Sequence, residues 1–595
     1  MMKKILKVYE LFINWLSDKL TPKQILVVSS ILVGLTTGIV AVILKTVVYY
    51  IHLALTFDYH IPFQYFFYLI FPTIGILITV WFTKKYLKGK LGRGTANILH
   101  AIAKKSSFLP LDQMYSHVVT SAITVGFGGS AGLEAPIVVT GSAIGSNYAK
   151  THHINYKDRT LLLACGAAAG IAAAFNSPIA GVLFALEVLL VDVSITAFIP
   201  LIIAAATGAL LSKIILQENT LFAFKEIQPF DYYNVPFYII LGLLSGFVSV
   251  YYARVYTKIE GFLKPKKKKV YRKAILGGVI LAVLILFFPS LFGEGYNSIK
   301  DLSDLNPEKI FEHSILSHFV AQKWLLLLFI VLTMFFKTIA AAVTIGSGGN
   351  GGNFAPSLFV GAYLGFSFAY LLNMLHIANL PVSNFTLVAM AGILSGVFHA
   401  PLTAIFLIAE LTGGYDLMIP LMIVSASSYI LSKYFEPYSM DIKRLAKKGH
   451  IFTADKDRNI LTALEIAELI EKDFQIVSPY DTLGELVEVV AHSKRNIFPV
   501  VTNEMLVGVI VLDNIREVMF KHEMYNKVYV KELMRKPLET LSVDERMELV
   551  MKKFDETGAW NLPVLKDGKY LGFISKSSIF VQYRNRLIKT TGEFI

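Results

Sequence analysis

A single carboxylate, Glu134, stands in the stretch GFGGSAGLEAP, residues 126–136, behind four glycines and two residues before Pro136. Glycine lets a backbone come close to an ion. A proline shortly afterwards suits the first turn of a helix, where its missing N–H costs least. The stretch therefore predicts a loop opening onto a helix start, with free N–H groups and roughly half a positive charge at its tip. Such a tip binds small anions without a fixed cation. Escapable binding of that kind is what conduction needs. A carboxylate is itself an anion. Glu134 can fill a small-anion site and release it on protonation or displacement; the plainer alternative is an acid that caps its own helix. GGSAG also fits the G-x-S-x-G pattern of a serine hydrolase. That chemistry requires a strand-to-helix turn with His and acid partners, whereas both flanks of Ser130 read as membrane helices. No catalytic role is expected, and the chain reads as a non-enzyme.

The pattern recurs. GGSAGLEAP (128–136) matches GGNGGNFAP (348–356) without gaps at an offset of 220. FNSPIAGVLFALE (175–187) matches FHAPLTAIFLIAE (398–410) at an offset of 223, pairing Glu187 with Glu410. Two echoes in the same order point to an internal repeat with a transport site between the halves. An acid at membrane depth costs ~3 kcal/mol on insertion scales and is a functional candidate by default. The paired positions of Glu187 and Glu410 instead suggest equivalent structural work, such as hydrogen bonding between repeats. Lys337 reads as a satisfied interior charge or an interfacial snorkel. His117 and His399 lack metal-site spacing, and the one cysteine, Cys165, excludes a disulfide within the chain.

The elements that position these loops follow from composition. The 595 residues are 54% hydrophobic and 17% charged, against about 25% charged in soluble domains. Residues 446–595 carry 22 basic and 22 acidic side chains, so the whole formal charge of +13 lies in 1–445. This predicts a membrane domain at 1–445 followed by a soluble region. Apolar tracts near 24–56, 63–83, 114–149, 159–190, 193–215, 236–257, 273–294, 315–345, 354–375, 384–411 and 415–433 vary in length and are interrupted by Gly and Pro. Broken or re-entrant helices lining a protected cavity are expected, because irregular backbone is not tolerated against lipid. Basic clusters at Lys3/Lys4/Lys7, Lys84–Arg93, Lys264–Lys273 and Lys443–Lys448 can share one side, which places both termini in the cytoplasm. Charge dispersed among membrane loops argues against nucleic acid as a partner. No cleavable signal pattern is evident.

The soluble region repeats too. Residues 485–515 resemble 548–579, each giving a helix, two short apolar runs joined by a turn (TNEM, KDGK) and a further helix start. That is a two-strand α/β unit occurring twice, here bounded as 446–525 and 526–595.

Taken together, these motifs resemble the chloride channel and transporter (CLC) family along about 85–595. GGSAGLEAPIVVTGSAIGS is similar to the family's G-x-E-x-P stretch, with Glu134 in the place of the external gating glutamate. GAAAGIAAAFNSPIAGVLFALEV (166–188) and GSGGNGGNFAPSLFVGA (346–362) match the next two segments. The resemblance implies a polytopic α-helical membrane protein with two inverted repeats, about eighteen helices in all, and a homodimer with one anion pathway per subunit. It implies chloride or another small anion as substrate, no cofactor, and a tail like a pair of cystathionine-β-synthase-type (CBS) domains. The anion-binding candidates are then Gly132, Leu133, Ala135, Asn353, Phe354 and Ala355.

Three departures matter. The family's Gly-Ser-Gly-Ile-Pro is GRGTA here, Gly92 to Ala96, with Arg93 at the serine position. Asp441 falls at the family's central tyrosine, and Tyr438, one turn earlier, is a candidate substitute. Val188 occupies the place where proton exchangers often carry an internal glutamate, which favours passive conduction over H+/Cl- exchange. In the tail, Val511/Asn514 and Ser575/Ser578 lack the acid that usually holds a nucleotide ribose, which speaks against adenine nucleotide binding. A reading from another class, a membrane-anchored sensor using the CBS pair, also fits. Anion flux separates it from transport. The expected location is the inner membrane.

Overall fold

The computed structural model describes residues 21–56, 64–89, 91–92, 94–190, 195–217, 228–264, 269–310, 314, 322–446, 461 and 464–591. Arg93 lies outside the described residues. The chain divides into two compact units, Met1–Lys448 and Gly449–Ile595.

The first unit is polytopic and helical. Among the described residues its α-helices are α1 (Pro22–Thr56), α2 (Gln64–Tyr86), α3 (Gly94–Lys104), α4 (Ser116–Gly126), α5 (Glu134–Thr151), α6 (Tyr156–Phe175), α7 (Pro178–Phe184), α8 (Ile195–Leu216), α9 (Val235–Leu263), α10 (Val270–Phe287), α11 (Tyr296–Ser303), α12 (Lys323–Gly346), α13 (Phe354–Met374), α14 (Val382–Phe398), α15 (Pro401–Leu411), α16 (Met418–Phe435) and α17 (Met440–Ala446). Among the described residues, eight helical segments are long and apolar enough to cross a membrane. Others, such as α7 and α15, are too short to cross and are packed against protein, as interrupted helices must be.

The two sequence echoes organise the packing. Helix α5 packs on α6 as α13 packs on α14. Asn176 and His399, at matching places, end α6 and α14 in the left-handed conformation, with φ of 56° and 57°. Pro178 and Pro401 then open α7 and α15 at the first helical positions, where a proline loses no bond. A chain that reads helix, left-handed residue, proline, helix is thus folded the same way twice.

The repeat also reaches further upstream than the quoted echoes. Thr124 and Thr344 sit at the same offset of 220, and each serves the opposite loop. Thr344 Oγ1 accepts from the Ser130 amide at 3.1 Å, and Thr124 Oγ1 accepts from the Asn350 amide at 3.0 Å. Gly128 and Gly348 turn the two loops with φ of 89° and 121°, a region costly for any side chain.

The second unit carries a five-stranded sheet of order β1-β2-β5-β4-β3, from β1 (Ile497–Thr502), β2 (Met505–Val511), β3 (Leu541–Ser542), β4 (Asn561–Lys566) and β5 (Lys569–Ser575). The β1–β2 and β4–β5 hairpins are built alike, each with a bulge, Val500 opposite Gly508 in one and Val564 opposite Gly572 in the other. Their two-residue turns, Asn503–Glu504 and Asp567–Gly568, have positive φ throughout, the geometry that matches the twist of paired strands. Helices α18 (Leu483–His492) and α19 (Met547–Thr557) precede the hairpins, and each covers one apolar cluster, around Leu486 and Phe498 and around Val550 and Leu562.

Candidate functional site

The two glycine-rich loops meet. Gly132 and Gly352 exchange both backbone hydrogen bonds, N–H to O at 2.9 and 2.7 Å, as an isolated antiparallel bridge. Such an exchange holds the starts of α5 and α13 side by side. Gly132, Leu133 and Ala135 of one loop therefore adjoin Asn353, Phe354 and Ala355 of the other, so the structure brings these six candidates together.

Glu134 is the first residue of α5 and is 3% exposed. The Tyr296 hydroxyl donates to its Oε1. The backbone amides of Glu134 itself and of Ala355 face the carboxylate, although Oε2 has no hydrogen bond of good geometry among the described residues. The charge thus lies over both helix starts, where a bound anion would lie. Gly132 has no side chain for a direct reason, since a Cβ there would strike this carboxylate and stand 3.0 Å from the Ala355 methyl.

Beside the paired loops is a cavity of about 20 Å³, room for one water-sized occupant. Its walls include Thr95, Ala135, Tyr256, Asn353, Phe354 and Asp441. Phe354 is fully buried, and its ring packs against Phe398 at 4.4 Å, Phe184 at 5.6 Å and Phe175 at 6.4 Å. Two of those rings, Phe175 and Phe398, are an echo pair. The Thr95 hydroxyl donates to Asp441 Oδ2, joining the start of α3 to the start of α17. The Tyr252 hydroxyl donates to Asn353 Oδ1 at 3.3 Å, and Tyr252 stacks on Tyr256.

Several expectations fall differently. Tyr438 is half-buried ahead of α17 and is not among the residues lining the cavity. The tyrosine in the wall is Tyr256 of α9, and Asp441, at the start of α17, reaches the cavity in place of Tyr438. Thr95 was part of the quoted GRGTA stretch, so a hydroxyl two residues beyond Arg93 was available to sequence reasoning. Tyr256 had no motif to mark it.

Glu187 and Glu410 carry the reciprocal structural work that their pairing suggests. Glu187 accepts the amides of Leu402 and Thr403 at 3.0 and 2.8 Å and the Thr403 hydroxyl at 2.7 Å. Glu410 accepts the amides of Ile179 and Ala180 at 3.0 and 2.9 Å. A π-turn at Ala185–Leu189 ends α7 around Glu187, and Val188 follows it half-buried. Lys337 is an interior charge. It is fully buried, donates to the Gly293 carbonyl at 3.1 Å and lies 4.7 Å above the Phe359 ring. Ser130 lies in a helix–loop–helix whose amide is held by Thr344, not in a strand-to-helix turn.

No motif marks Glu294 and Tyr296, in the segment FGEGYN that leads from α10 into the start of α11. Glu294 Oε1 accepts the Leu133 amide at 3.2 Å, immediately before Glu134. An acid between two glycines near the end of an apolar tract was the available signal.

Comparison with known proteins gives a consistent picture. The voltage gated chloride channel family model matches residues 74–433, and the CBS domain model matches residues 466–521 and 530–584. A putative chloride channel protein, ClcB-like, of Ralstonia nicotianae is 29% identical over 386 residues, 64% of this chain and 85% of the relative. The H(+)/Cl(-) exchange transporter ClcA of Vibrio vulnificus is 29% identical over 318 residues, 52% of this chain and 64% of the relative. Among solved structures, a slow cyanobacterial Cl-/H+ antiporter aligns with TM-score 0.62 at 22% identity, covering 72% of this chain and 99% of the other. A eukaryotic CLC transporter aligns with TM-score 0.60 at 17% identity over 93% and 97%.

Proposed function

The chain belongs to the voltage gated chloride channel family, a multi-pass membrane transport protein with a CBS pair and not an enzyme, and from that premise we propose that it passes chloride along a pathway gated by Glu134. The observation that carries this reading is the placement of one carboxylate over two helix starts joined through Gly132 and Gly352. While the carboxylate stays there, it occupies the position that suits a small anion. Protonation or displacement vacates it. The amides of Leu133, Ala135, Asn353, Phe354 and Ala355 would then receive the anion beside the Gly132–Gly352 bridge, and the cavity beside Thr95 and Tyr256 would continue the path inward.

Passive conduction is the favoured mode. Val188 lies beside Glu187, and a valine cannot relay a proton. Proton-coupled exchange is the second reading, favoured by Asp441, an acid in the wall of the cavity that could take protons from the inner side. The homodimer that the family implies would cover Ile179, Leu402, Ile419 and Met422, exposed apolar side chains on α7, α15 and α16. Both termini are assigned to the cytoplasm by the basic clusters.

The test is chloride efflux from liposomes holding the purified protein, followed by the reversal potential with and without a pH gradient. A potential that follows chloride alone supports conduction. One that shifts with pH at fixed chloride replaces it by exchange, and no flux leaves the sensor reading.

A further inference from the structure

The segment Phe292–Tyr296 lies along the loop that carries Glu134 and touches it at four places. The Phe292 ring fills the space that a side chain at Gly128 would need. The Gly293 amide donates to the Gly128 carbonyl at 3.2 Å. Glu294 takes the Leu133 amide, and Tyr296 takes Glu134. Gly293 and Gly295 make these contacts possible. Both have left-handed φ, 63° and 91°, so the chain turns sharply on each side of Glu294 and sends the side chains of Glu294 and Tyr296 to one helix start. A Cβ on Gly295 would stand 2.6 Å from the Phe359 ring, so this seat is fitted to glycine.

Lys337 holds the segment from beneath through the Gly293 carbonyl. The charged and titratable groups that face Glu294 come from four elements. They are Glu134 of α5, Tyr296 of α11, Lys337 of α12 and Lys45 of α1; His52 of α1 stands against Phe292, ring centroids 5.4 Å apart. Two carboxylates and two ammonium groups therefore share one small region. Helix α10 carries the chain across the membrane from the basic loop 264–273, so the segment lies on the side away from that loop. Glu294 keeps part of its surface exposed.

We propose that Glu294 is a second gating carboxylate, which occupies the Leu133 amide that an arriving anion would use, while Tyr296 latches Glu134 over the neighbouring position. The proposal rests on the reading that Glu134 stands in the anion pathway and adds a competitor one residue upstream of it. An N–H to carboxylate bond is charge-assisted and stronger than a neutral one, so chloride entering from outside must displace Glu294 as well as Glu134. Two carboxylates in series make outward-facing access depend on more than one protonation. Freeing the Leu133 amide should favour anion binding even when Glu134 is unchanged.

The experiment compares wild type, Glu294→Gln, Glu294→Asp, Glu134→Gln and the Glu134→Gln/Glu294→Gln pair. Each is purified in detergent for chloride titration by calorimetry and reconstituted for chloride flux across a range of external pH. Glu294→Gln should bind chloride roughly tenfold to a hundredfold more tightly, on the scale of one charged hydrogen bond, and should conduct at higher external pH than wild type. Glu134→Gln should keep a weak residual pH dependence that the double variant loses. Glu294→Asp retains the charge beside Lys337 but withdraws it from the Leu133 amide, so it too should bind chloride more tightly. Wild-type chloride affinity in both Glu294 variants overturns the proposal. So does a pH profile of the double variant identical to that of Glu134→Gln. If Glu134→Gln itself leaves the pH profile unchanged, the gating role of Glu134 fails instead, and the two failures are told apart. Should Glu294→Gln not purify as a monodisperse protein, the Glu294→Asp titration alone decides.

Discussion

Glu187 and Glu410 each cap the helix that belongs to the other repeat. Glu410, near the end of α15, accepts the first free amides of α7, and Glu187, in the turn that ends α7, accepts those of α15. The two short helices are thus locked end to end. Prolines at their first positions remove one donor each, and the carboxylates take the next two. In a membrane-embedded unit no water is at hand to replace them.

Removal of either acid leaves two N–H groups unpaired, one of them on a buried residue, Ala180 or Thr403. Glu410→Ala or Glu187→Ala should therefore destabilise the membrane unit by roughly 2–4 kcal/mol, the usual cost of stranding buried donors. The corresponding Gln variants should lose less, since an amide oxygen still accepts. Thermal unfolding in detergent measures this, and chloride flux per folded molecule should stay within about twofold. A Glu410→Ala protein that melts with wild type would remove the capping role.

Glu134 behaves oppositely. It is one of the buried carboxylates whose removal should open a path instead of weakening the fold. Glu134→Gln and Glu134→Ala should conduct chloride with little dependence on external pH, whereas wild-type flux should rise as external pH falls and the carboxyl takes a proton. The sign follows from the site: the charged form fills the anion position and the neutral form leaves it. Flux assays over a pH series check this, and unchanged pH dependence in both variants would count against the gate.

The visibility of each part in the sequence follows the constraint it obeys. Gly128, Gly348, Pro178 and Pro401 were legible because backbone geometry dictates those residue types, and so the two echoes gave the repeat. The acids at 187 and 410 were legible as a pair. Thr124 and Thr344 were not, because a threonine in an apolar helix has many ordinary uses and only the crossing of the loops reveals that each serves its counterpart. Glu294 and Tyr296 belong to a segment with no echo in the quoted repeats. Their importance depends on where the chain returns after α10, which periodicity cannot supply. Tyr256 sits in a plain apolar helix, so nothing local distinguishes it from Tyr252 or from core aromatics. In the tail, the paired turns TNEM and KDGK foretold both hairpins, because two-residue turns have strict φ requirements.

The close approach of Gly132 and Gly352 makes a steric prediction. A Cβ on Gly352 would stand 2.8 Å from the Ala135 methyl and 3.0 Å from its amide nitrogen. Gly352→Ala must push the two helix starts apart and break their paired hydrogen bonds. Chloride affinity should fall by about tenfold or more, in line with the loss of one to two charge-assisted bonds to the anion. Calorimetric chloride titration of the monodisperse variant is the measurement. Wild-type affinity would mean that the paired loops are not the binding site.

In the tail, Thr482 forms a capping box with Glu485 at the start of α18. The Glu485 amide donates to Thr482 Oγ1 at 3.4 Å, and Glu485 Oε2 accepts the Thr482 amide at 2.7 Å. The Thr482 amide, then its hydroxyl, hold the Glu485 carboxyl below its ordinary value. A depressed carboxyl stabilises the folded form above the ordinary carboxylate range and loses that contribution as pH falls through the depressed value. Hydrogen exchange of the full-length protein should therefore show α18 loosening selectively toward acid. Thr482→Ala should raise its exchange about fivefold at neutral pH, the effect of losing one N-cap. Equal exchange in wild type and variant would exclude the box as the local brake.

Nucleotide binding by the tail is a question of donors already committed. In the second CBS unit, the Ser575 hydroxyl donates to Glu471 Oε1 at 2.5 Å and also accepts the Ser578 amide at 2.9 Å. It has little capacity left for a ribose. Ser578 in turn donates its own hydroxyl to the Ser575 carbonyl. The first unit offers Val511, which has no side-chain donor, and Asn514, which has no charge. A shallow pocket in the tail is lined by Glu485, Glu488 and His492, two acids that would repel a phosphate at neutral pH. ATP, ADP and AMP at millimolar concentration should therefore leave the melting temperature of the full-length protein unchanged, since a ligand in hundredfold excess over its dissociation constant would add about 2.7 kcal/mol. A nucleotide-dependent rise in melting temperature that disappears in Ser575→Ala would overturn this and make the tail a nucleotide sensor.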